Sequence, residues 1–289
     1  MKIIAAVPTY DRPEFLLKNI DCLLRQTRAL DRIVIVDNAS RPETRQAMEL
    51  AGYLSHPLIE YVRLDVNIGA SGGFGTAMEI ALARGAAWIW GMDDDAFPHP
   101  DALQRLLDAN PSGEQDCLWS NVDEDSSFDG PTKLVNILIF VGFFVSRKLV
   151  EAVGYPDRRF YMYHDDTDYS DRIRKQGFSI LKVRDSVIDH KGFDKRGTPL
   201  TTYKLPIGSF SVLNCEPFRI YYIFRNLYFI KPQGAQRFRY VMRSLLIEFP
   251  KYLMMRPWSG VAIGLATFHS LVHRRGRVDL PGVFSRKYY

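Results

Sequence analysis

The sequence predicts an α/β protein with a mostly parallel central sheet flanked by helices and a helical C-terminal extension. Two apolar runs, residues 2–7 and 33–36, lack polar alternation, which is typical of parallel strands that are covered on both faces. Between them, apolar residues recur at helical spacing, so a strand, a helix and a strand follow one another within about 35 residues. The alternation continues to about residue 110, which favours one open sheet.

The first part of the chain supplies the elements of this sheet in order. Residues 13–28 and 41–51 carry the apolar spacing of helices, and a third strand is predicted at 59–64. A helix at 72–84, with an apolar face, leads to a fourth strand at 87–91.

The rest of the chain departs from this alternation. Residues 111–133 are polar, the apolar run 134–146 fits one or two strands, and the Gly, Pro, Thr and Ser content of 191–217 predicts a long loop or lid. The other predicted elements are helices at 101–107, 147–153 and 168–176, a strand at 180–188, and helices from 218 to about 255. We therefore expect an α/β domain of residues 1–217, with halves of about 1–110 and 111–217, and a helical, basic region of residues 218–289.

Composition limits the class of protein. Of the 289 residues, 46% are hydrophobic and 25% charged, which excludes a mainly disordered, collagenous or coiled-coil chain. The longest apolar stretches fall short of the roughly 18 residues that a membrane-spanning helix needs, and the apolar start is too short for a signal peptide. The three cysteines lie far apart without metal-type spacing, which fits a reducing cytoplasm.

The net charge of +5 is unevenly distributed. Residues 237–289 contain ten basic and two acidic residues, a net charge of +8, so the preceding residues carry −3. Because aromatic and aliphatic residues are interspersed with these cations, the expected partner is a polyanionic surface, either a membrane or a nucleic acid.

Asp93, Asp94 and Asp95 follow the fourth predicted strand, at the sheet edge where ligands of parallel α/β proteins bind. Adjacent carboxylates repel one another unless a cation neutralises them, and hard oxygen ligands favour Mg²⁺ or Mn²⁺. In an extended segment Asp93 and Asp95 point the same way, which leaves Asp94 for a ligand hydroxyl. The alternative is a solvated acidic turn that caps the helix at 101–107.

Two further segments are candidates for ligand binding. Asp37, at the end of the second strand, either accepts a hydrogen bond from a base or serves a local turn. The glycine-rich residues 67–75 resemble a phosphate cradle that enters a helix, although a flexible loop explains the same composition. The segment is neither a P-loop nor a Rossmann fingerprint.

A second acidic cluster, Asp165 and Asp166, follows an aromatic stretch. A partly desolvated pocket raises a carboxyl pKa towards the range of a general base. Interaction with a helix dipole is the alternative, and it suits Asp168 and Asp171 better. His190 follows the strand at 180–188. It either completes a metal site as a neutral imidazole or has a purely structural role.

Taken together, these motifs resemble the family 2 inverting glycosyltransferases of the GT-A (nucleotide-diphospho-sugar transferase) fold over about residues 2–192. The resemblance is carried, in order, by Pro8-Thr9-Tyr10-Asp11-Arg12, Val36-Asp37-Asn38, Asn67-x-Gly-x-x-Gly-Gly-Phe74, Met92-Asp93-Asp94-Asp95, Asp165-Asp166-x-Asp-x-x-x-Arg172 and Asp189-His190.

The resemblance implies roles for these residues. Mn²⁺ or Mg²⁺ would be held on the donor diphosphate by Asp93, Asp95 and His190. Asp166 aligns with the catalytic base, with Asp165 beside it. The nucleotide-sugar donor would be lined by Pro8, Thr9, Arg12, Asp37, Asn67, Gly69, Gly72, Gly73 and Asp94, with Asp37 at the base and Asp94 at the sugar. The halves of the catalytic domain would bind the nucleotide sugar and the acceptor, respectively.

Residues 67–74 and 90–95 look most like bacterial galactofuranosyltransferases, which implies a UDP-galactofuranose donor. Rhamnosyltransferases that use dTDP-rhamnose are also similar, and residues 221–226 resemble a motif seen in both groups. The implied acceptor is a hydroxyl of a lipid-linked glycan in cell-surface polysaccharide synthesis. The short tail favours the addition of one or a few sugars.

The tail has two interpretations. Residues 239–256 and 258–272 are apolar and flanked by basic residues, as in an in-plane anchor on an anionic membrane. Helices packed on the core or on a second subunit are the alternative. We expect a cytoplasmic protein, peripheral on the inner face of the plasma membrane, that binds no nucleic acid and whose oligomeric state is open.

Two other function classes compete. A nucleotidyltransferase also uses a parallel sheet and an acidic metal site, but residues 8–12 lack the early glycine-rich loop of that class. The other class is a non-catalytic module that binds nucleic acid or membrane through the basic tail. This hypothesis predicts no role for Asp166.

Overall fold

The computed structural model describes residues 1–109, 117–125, 127–190, 200–205, 208–280 and 282–284. The chain forms two compact units. The first comprises Met1–Tyr161 and Asp165–Gly192, and the second Met162–His164 and Phe193–Tyr289. Residue 217, the boundary expected from the sequence, lies within the second unit, and the functional division at that point stays a prediction.

The first unit alternates strands and helices, as the sequence predicted. Its elements are β1 (Ile3–Thr9), α1 (Pro13–Leu24), β2 (Arg32–Asp37), α2 (Pro42–Leu50), β3 (Ile59–Arg63), α3 (Gly69–Ala83), β4 (Trp88–Gly91), β5 (Ala96–Pro98), α4 (Ala102–Asp108), β6 (Cys117–Val122), β7 (Thr132–Val135), β8 (Phe143–Ser146), α5 (Arg147–Val153), α6 (Asp165–Lys175) and β9 (Ile180–His190).

These strands form one nine-stranded sheet. Its order is β3-β2-β1-β4-β8-β6-β9-β5, and β7 pairs with β9. The pairings of β1 with β2 and β4, of β2 with β3, and of β6 with β9 are parallel, whereas β5, β7 and β8 pair antiparallel with their neighbours. Six of the nine strands therefore run in one direction, and the predicted mostly parallel α/β fold is confirmed.

The core lies on both faces of this sheet, which explains the uninterrupted apolar runs. All seven residues of β1 are buried. On one face, Leu16 and Ile20 of α1 pack against the sheet, and on the other face Phe74 and Met78 of α3 do so. Burial of each such side chain contributes about 1.5–3 kcal/mol, so the helices are held by their apolar stripes.

The structure corrects the sequence prediction at the starts of two helices and at one strand. Helices α3 and α6 each begin three residues earlier than expected, at Gly69 and Asp165. Strand β6 lies in the stretch of 111–133 that showed no element, because its polar Ser120 and Asn121 are buried and hydrogen-bonded. Residues 191–199 of the predicted loop or lid lie outside the described residues.

The rest of the predicted loop at 191–217 is also corrected. It contains a hairpin of β10 (Leu200–Leu205) and β11 (Gly208–Leu213). Thr and Tyr favour strands despite the loop-like composition, and the rings of Tyr203 and Phe210 stack across the hairpin with centroids 5.6 Å apart.

The second unit is otherwise helical, in agreement with the predicted extension. It contains α7 (Pro217–Ile230), α8 (Ala235–Arg243), a π-helical segment (Ser244–Glu248), α9 (Phe249–Met255) and α10 (Pro257–Leu271). Helix α10 packs on α7 and α9. No helix among the described residues combines the length and apolar character required to cross a membrane.

Candidate active site

Asp93, Asp94 and Asp95 occupy the turn between β4 and β5. Strand β5 pairs antiparallel with the end of β9, with Ala96 opposite His190. This pairing brings His190 Nε2 to 2.9 Å from Asp95 Oδ1. One ligand atom from each of Asp93, Asp95 and His190 lies within 4.8 Å of the other two. The structure therefore brings the three predicted metal ligands together, across 95 residues of sequence.

The charges of this cluster fit a divalent cation. Burial, with repulsion from Asp95 and Asp94, raises the pKa of Asp93 to about 8, and burial raises that of Asp94 to about 6. Although burial opposes it, the hydrogen bond with His190 lowers the pKa of Asp95. Two carboxylates and an imidazole suit Mn²⁺, while Mg²⁺ prefers oxygen ligands alone. A bound cation would neutralise carboxylates that otherwise repel one another.

Asp94 and Asp95 are also held from the other side by the end of β1 and the following turn. Thr9 Oγ1 donates a hydrogen bond of 2.6 Å to Asp94 Oδ2. The Arg12 guanidinium lies 2.7 Å from Asp95 Oδ2 and 3.5 Å from Asp94 Oδ1. About half of the Arg12 side chain is exposed, so the Arg12 guanidinium lies between the acidic turn and solvent. A phosphate that approaches the turn would therefore meet Arg12.

Asp37 ends β2 and is fully buried. The backbone N–H of Ser40 donates a 2.7 Å hydrogen bond to Asp37 Oδ1, and the Tyr61 hydroxyl donates to Oδ2. Burial and this hydrogen bond raise the pKa of Tyr61. Asp37 therefore organises the turn after β2, and a nucleotide base would have to share one of its oxygens.

Asn38 connects the ends of β1 and β2 with the start of α3. Its backbone N–H donates to the Thr9 carbonyl. Its side chain accepts from Ile68 N at 2.8 Å and donates to Gly69 O at 2.9 Å. Asn67 Oδ1 accepts from Gly69 N at 2.8 Å. These bonds fix the segment that the sequence identified as a phosphate cradle.

Close packing accounts for the glycines of α3. Gly69 has φ +81°, and a Cβ there would lie 2.1 Å from the Tyr161 carbonyl oxygen. A Cβ on Gly73 would lie 2.8 Å from Pro8 Cβ, and one on Gly72 would meet a side chain at 2.7 Å. Gly72 and Gly73 lie within the helix, as predicted, and the helix begins three residues earlier than expected, at Gly69. Donor binding by Pro8 and these glycines stays a prediction.

The two candidate bases begin α6 but differ in environment. Asp165 is buried, and its Oδ2 has no hydrogen-bond partner among the described residues. Burial and the neighbouring Asp166 raise the pKa of Asp165 to about 7. Burial also raises the pKa of Asp166, but Asp166 Oδ1 accepts hydrogen bonds from the backbone and hydroxyl of Thr167, which favour its charged form. Asp165 is thus the carboxyl that retains a proton more readily.

Side chains on the far face of α6 hold this turn in place. Tyr169 is fully buried in the core. The Ser170 hydroxyl donates to Asp166 O at 2.7 Å and accepts from Leu138 N at 3.1 Å. Arg172 donates to two backbone carbonyls, at 2.6 and 2.9 Å, and pairs with Asp168 at 2.9 Å. Asp168 lies in the first turn of α6, where its interaction with the helix dipole stays a prediction, and it also forms an i,i+4 ion pair with Arg172.

The segment immediately before α6 has an unusual backbone. Tyr163 and His164 have φ values of +63° and +62°, which non-glycine residues adopt at a cost in conformational energy. Within the second unit, Asn226 Nδ2 donates to the carbonyls of Met162 and Tyr163 at 2.6 and 3.0 Å. Asn226 Oδ1 accepts from Arg225 Nε at 2.9 Å. The motif at residues 221–226 therefore stabilises this segment.

Sequence reasoning missed two supporting residues. Asn19 of α1 is fully buried and donates to Ala96 O at 2.5 Å and to Asp93 O at 3.5 Å, which braces the acidic turn. An asparagine on the apolar face of a helix was the available signal. Asp123 Oδ1 accepts from the backbone N–H of His190 at 3.0 Å, and only the tertiary structure reveals this contact.

The predicted site residues thus fall into three groups. The first, at the ends of β1, β4 and β9, contains Thr9, Arg12, Asp93, Asp94, Asp95 and His190. The second, at the ends of β2 and β3, contains Asp37, Asn67 and Gly69. Asp165 and Asp166 form the third, at the first turn of α6. Asn38 joins the first two groups, and their functional roles stay predictions.

Residues 4–180 match the family model described as Glycosyl transferase family 2. Galactofuranosyltransferase GlfT1 of Mycolicibacterium smegmatis is 28% identical over 204 residues, which cover 61% of this chain and 66% of the relative. The chain thus spans just under two thirds of that relative.

Solved structures show the same fold at low sequence identity. Mannosyltransferase PcManGT from Pyrobaculum calidifontis, in complex with GDP-Man and Mn²⁺, matches with a TM-score of 0.57 and 15% identity, over 94% of this chain and 88% of that chain. TarS 1–349 of S. aureus, in complex with UDP, matches with a TM-score of 0.56 and 13% identity, over 89% and 75%. The predicted GT-A fold is confirmed, and because the family model spans more than half of its residues, this chain belongs to glycosyl transferase family 2.

Proposed function

We propose that this protein transfers a sugar from a nucleotide-diphosphate donor to an acceptor hydroxyl, with inversion at the anomeric carbon. The observation that carries the proposal is the approach of Asp93, Asp95 and His190 at the carboxyl edge of the sheet, within 4.8 Å of one another. This edge is where open α/β sheets bind ligands. The donor set would hold Mn²⁺ or Mg²⁺, which supplies positive charge beside the leaving diphosphate.

The chain's own residues contribute to donor binding. Arg12 is positioned to exchange its contact with Asp95 for a donor phosphate, since a guanidinium binds phosphate and carboxylate equally well in geometric terms. Asp94, held by Thr9 Oγ1 at 2.6 Å, offers a carboxylate of fixed orientation to a sugar hydroxyl. The turn organised by Asp37 would contact the nucleoside.

Asp166 acts as the general base. As the acceptor oxygen attacks the anomeric carbon, Asp166 removes its proton, while the bond to the departing diphosphate breaks on the opposite face of the sugar. A single displacement of this kind inverts configuration and uses no enzyme nucleophile. Asp165 is the alternative base, because burial raises its pKa to about 7, in the range of a general base near neutral pH.

The proposed donor is UDP-galactofuranose, and the support is the galactofuranosyltransferase relative at 28% identity. The proposed acceptor is a hydroxyl of a lipid-linked glycan in cell-surface polysaccharide synthesis, and the proposed location is the cytoplasm, at the inner face of the plasma membrane. dTDP-rhamnose is the competing donor, and the assay below decides between them.

A thermal-shift screen tests the donor. We expect UDP-galactofuranose with Mn²⁺ to raise the melting temperature more than dTDP-rhamnose, UDP-galactopyranose or UDP-glucose, because a ligand that binds only the folded state stabilises it. Asp93→Asn should abolish the Mn²⁺-dependent part of the shift. If only dTDP-rhamnose raises the melting temperature, it replaces UDP-galactofuranose as the proposed donor. If no nucleotide sugar raises it, the proposed function is refuted.

A further inference from the structure

Helix α10 exposes several large apolar side chains, and apart from Ile263 its buried face consists mainly of small and polar residues. Trp258, Val261 and Phe268, which share one helical face, are 53%, 40% and 58% exposed. The opposite face is buried and includes Ser259, Gly260, Thr267 and Ser270. This distribution is the reverse of that in a helix of a globular protein facing water.

The polar side chains on the buried face of α10 have hydrogen-bond partners, and this face packs closely on its neighbours. The orientation of the helix about its own axis is therefore well defined. Thr267 Oγ1 donates to Ile263 O at 2.9 Å, and Ser270 Oγ donates to Ala266 O at 2.7 Å. A Cβ on Gly260 would lie 2.5 Å from the backbone of Leu253, so α9 and α10 pack more closely than larger residues allow. Those two bonds lie within α10, but turning the helix would lose the close approach at Gly260 and the 2.6 Å hydrogen bond between the Tyr221 hydroxyl of α7 and His269 Nδ1.

The neighbouring helix carries a second exposed apolar stripe. Phe238, Met242, Leu245 and Leu246 recur at positions i, i+4, i+7 and i+8 from α8 into the π-helical segment, and all are exposed. In α9, Met254 is 78% exposed. We call these residues, with Trp258, Val261 and Phe268 of α10, the apolar face. Exposed apolar surface on adjacent elements marks an interaction site.

The charge around the apolar face favours one class of partner. Residues 235–284 contain eight basic and two acidic residues. One of the acids, Glu248, is buried and paired with Arg243 and Lys251. The basic Arg239, Arg274 and Arg277 are exposed. Apolar and aromatic side chains beside such cations complement a bilayer with anionic headgroups.

We propose that the apolar face of α8–α10 docks on an anionic lipid bilayer, with these helices lying in the plane of the membrane surface. The 15 residues of α10 extend about 22 Å, which is shorter than the roughly 30 Å hydrocarbon core, so insertion is limited to the interface. The inference rests on the membrane location given under the proposed function and names the surface that docks there, and it uses none of the residues assigned to donor, metal or base.

Vesicle flotation of the full chain tests the proposal. We expect binding to vesicles of phosphatidylcholine with phosphatidylglycerol, at least tenfold weaker binding to phosphatidylcholine alone, and weakening by salt. The double variant Trp258→Ser with Phe268→Ser should lose at least tenfold in partitioning. The matched control is Leu50→Ser with Val66→Ser, which removes two apolar side chains of the first unit that are 90% and 59% exposed, and it should bind like the wild type.

Tryptophan fluorescence gives a second readout. Trp88 and Trp90 are buried and Trp119 is half-buried, whereas Trp258 is exposed on the apolar face. Brominated phospholipids should quench the emission of the wild type, and Trp258→Phe should remove most of this quenching. Quenching that persists in Trp258→Phe would contradict insertion of this face.

Two results would overturn the proposal. One is unchanged flotation of the Trp258→Ser, Phe268→Ser protein. The other is a concentration-dependent dimer in lipid-free buffer that these substitutions dissociate, without vesicle binding by the wild type, since the face would then be an interface between copies. Failure of the proposed function is distinguishable, because the donor-induced thermal shift is measured without lipid and should be the same in these variants.

Discussion

Replacing Asp165 by Asn should stabilise the protein at high pH and do so much less at low pH. Asn has nearly the same shape but carries no charge when buried. The carboxyl of Asp165 is only 6% exposed, its Oδ2 has no hydrogen-bond partner among the described residues, and its pKa is raised to about 7 from 3.8. The folded state therefore favours the protonated form.

The size and sign of the effect follow from this difference in pKa. Below pH 3.8 the carboxyl is protonated in both states and costs nothing. Between 3.8 and about 7 the folded protein keeps a proton that the unfolded chain releases, so rising pH favours unfolding. Above pH 7 the full cost is about 4 kcal/mol. Between pH 5 and pH 8 it changes by about 2–3 kcal/mol.

Urea denaturation of wild type and Asp165→Asn at pH 5 and pH 8 measures this change. The free energy of unfolding of the variant, minus that of the wild type, should be larger at pH 8 by about 2–3 kcal/mol. Asp65→Asn, at an exposed position, controls for the loss of one negative charge. An equal difference at both pH values would refute the assignment of Asp165 as the proton-holding member of the pair.

The remaining predictions concern the base, the metal, and two supporting residues. Asp166→Asn should lower kcat by about 10²- to 10⁴-fold and leave the donor Kd within about twofold, as steady-state kinetics and calorimetry would show; a loss below tenfold would exclude Asp166 as the base. Chelation by EDTA should abolish transfer and added Mn²⁺ should restore it, so full activity in excess chelator would contradict the metal site. Asn19→Leu removes the side-chain donor to the Ala96 carbonyl and one of two donors to the Asp93 carbonyl, so it should cost about 1–3 kcal/mol in unfolding free energy and weaken Mn²⁺ binding, whereas Asn19→Gln should preserve part of both. Gly73→Val places side-chain atoms against Pro8 and should cost about 1–3 kcal/mol, and a neutral result in thermal unfolding would argue against close packing as the reason for this glycine.

The fold was predictable where hydrophobic patterning is local. The run at 2–7 became β1 because both faces of the sheet are covered, and the apolar spacing within 13–28 became α1. The hairpin of β10 and β11 was not predictable in this way, because Thr, Ser and Gly are common in both loops and exposed strands. Its stability depends on cross-strand partners such as Tyr203 and Phe210, which composition does not reveal.

The sequence predicted which residues form the candidate site better than it predicted the contacts that hold them in place. The sequence alone indicated a cation site, because the three carboxylates are adjacent in the chain and repel one another in any fold that places them after a buried strand. The partners of these carboxylates are not local. Asn19 reaches the acidic turn from α1, and Asp123 reaches the backbone of His190 from the end of β6. Such contacts depend on the order of strands in the sheet, and the hydrophobic periodicity of the sequence does not determine that order.

Asp95 is the residue on which the parts of this site converge. Arg12 approaches it from the turn after β1, and His190 approaches it from the last strand of the sheet. The second approach exists only when β5 pairs with β9, because Ala96 and His190 are opposite one another in that pairing. The metal ligands are therefore assembled by the long-range pairing of β5 with β9 as well as by the acidic turn itself. It follows that substitutions which weaken the β5–β9 pairing should reduce Mn²⁺ affinity even though they alter none of the three ligands.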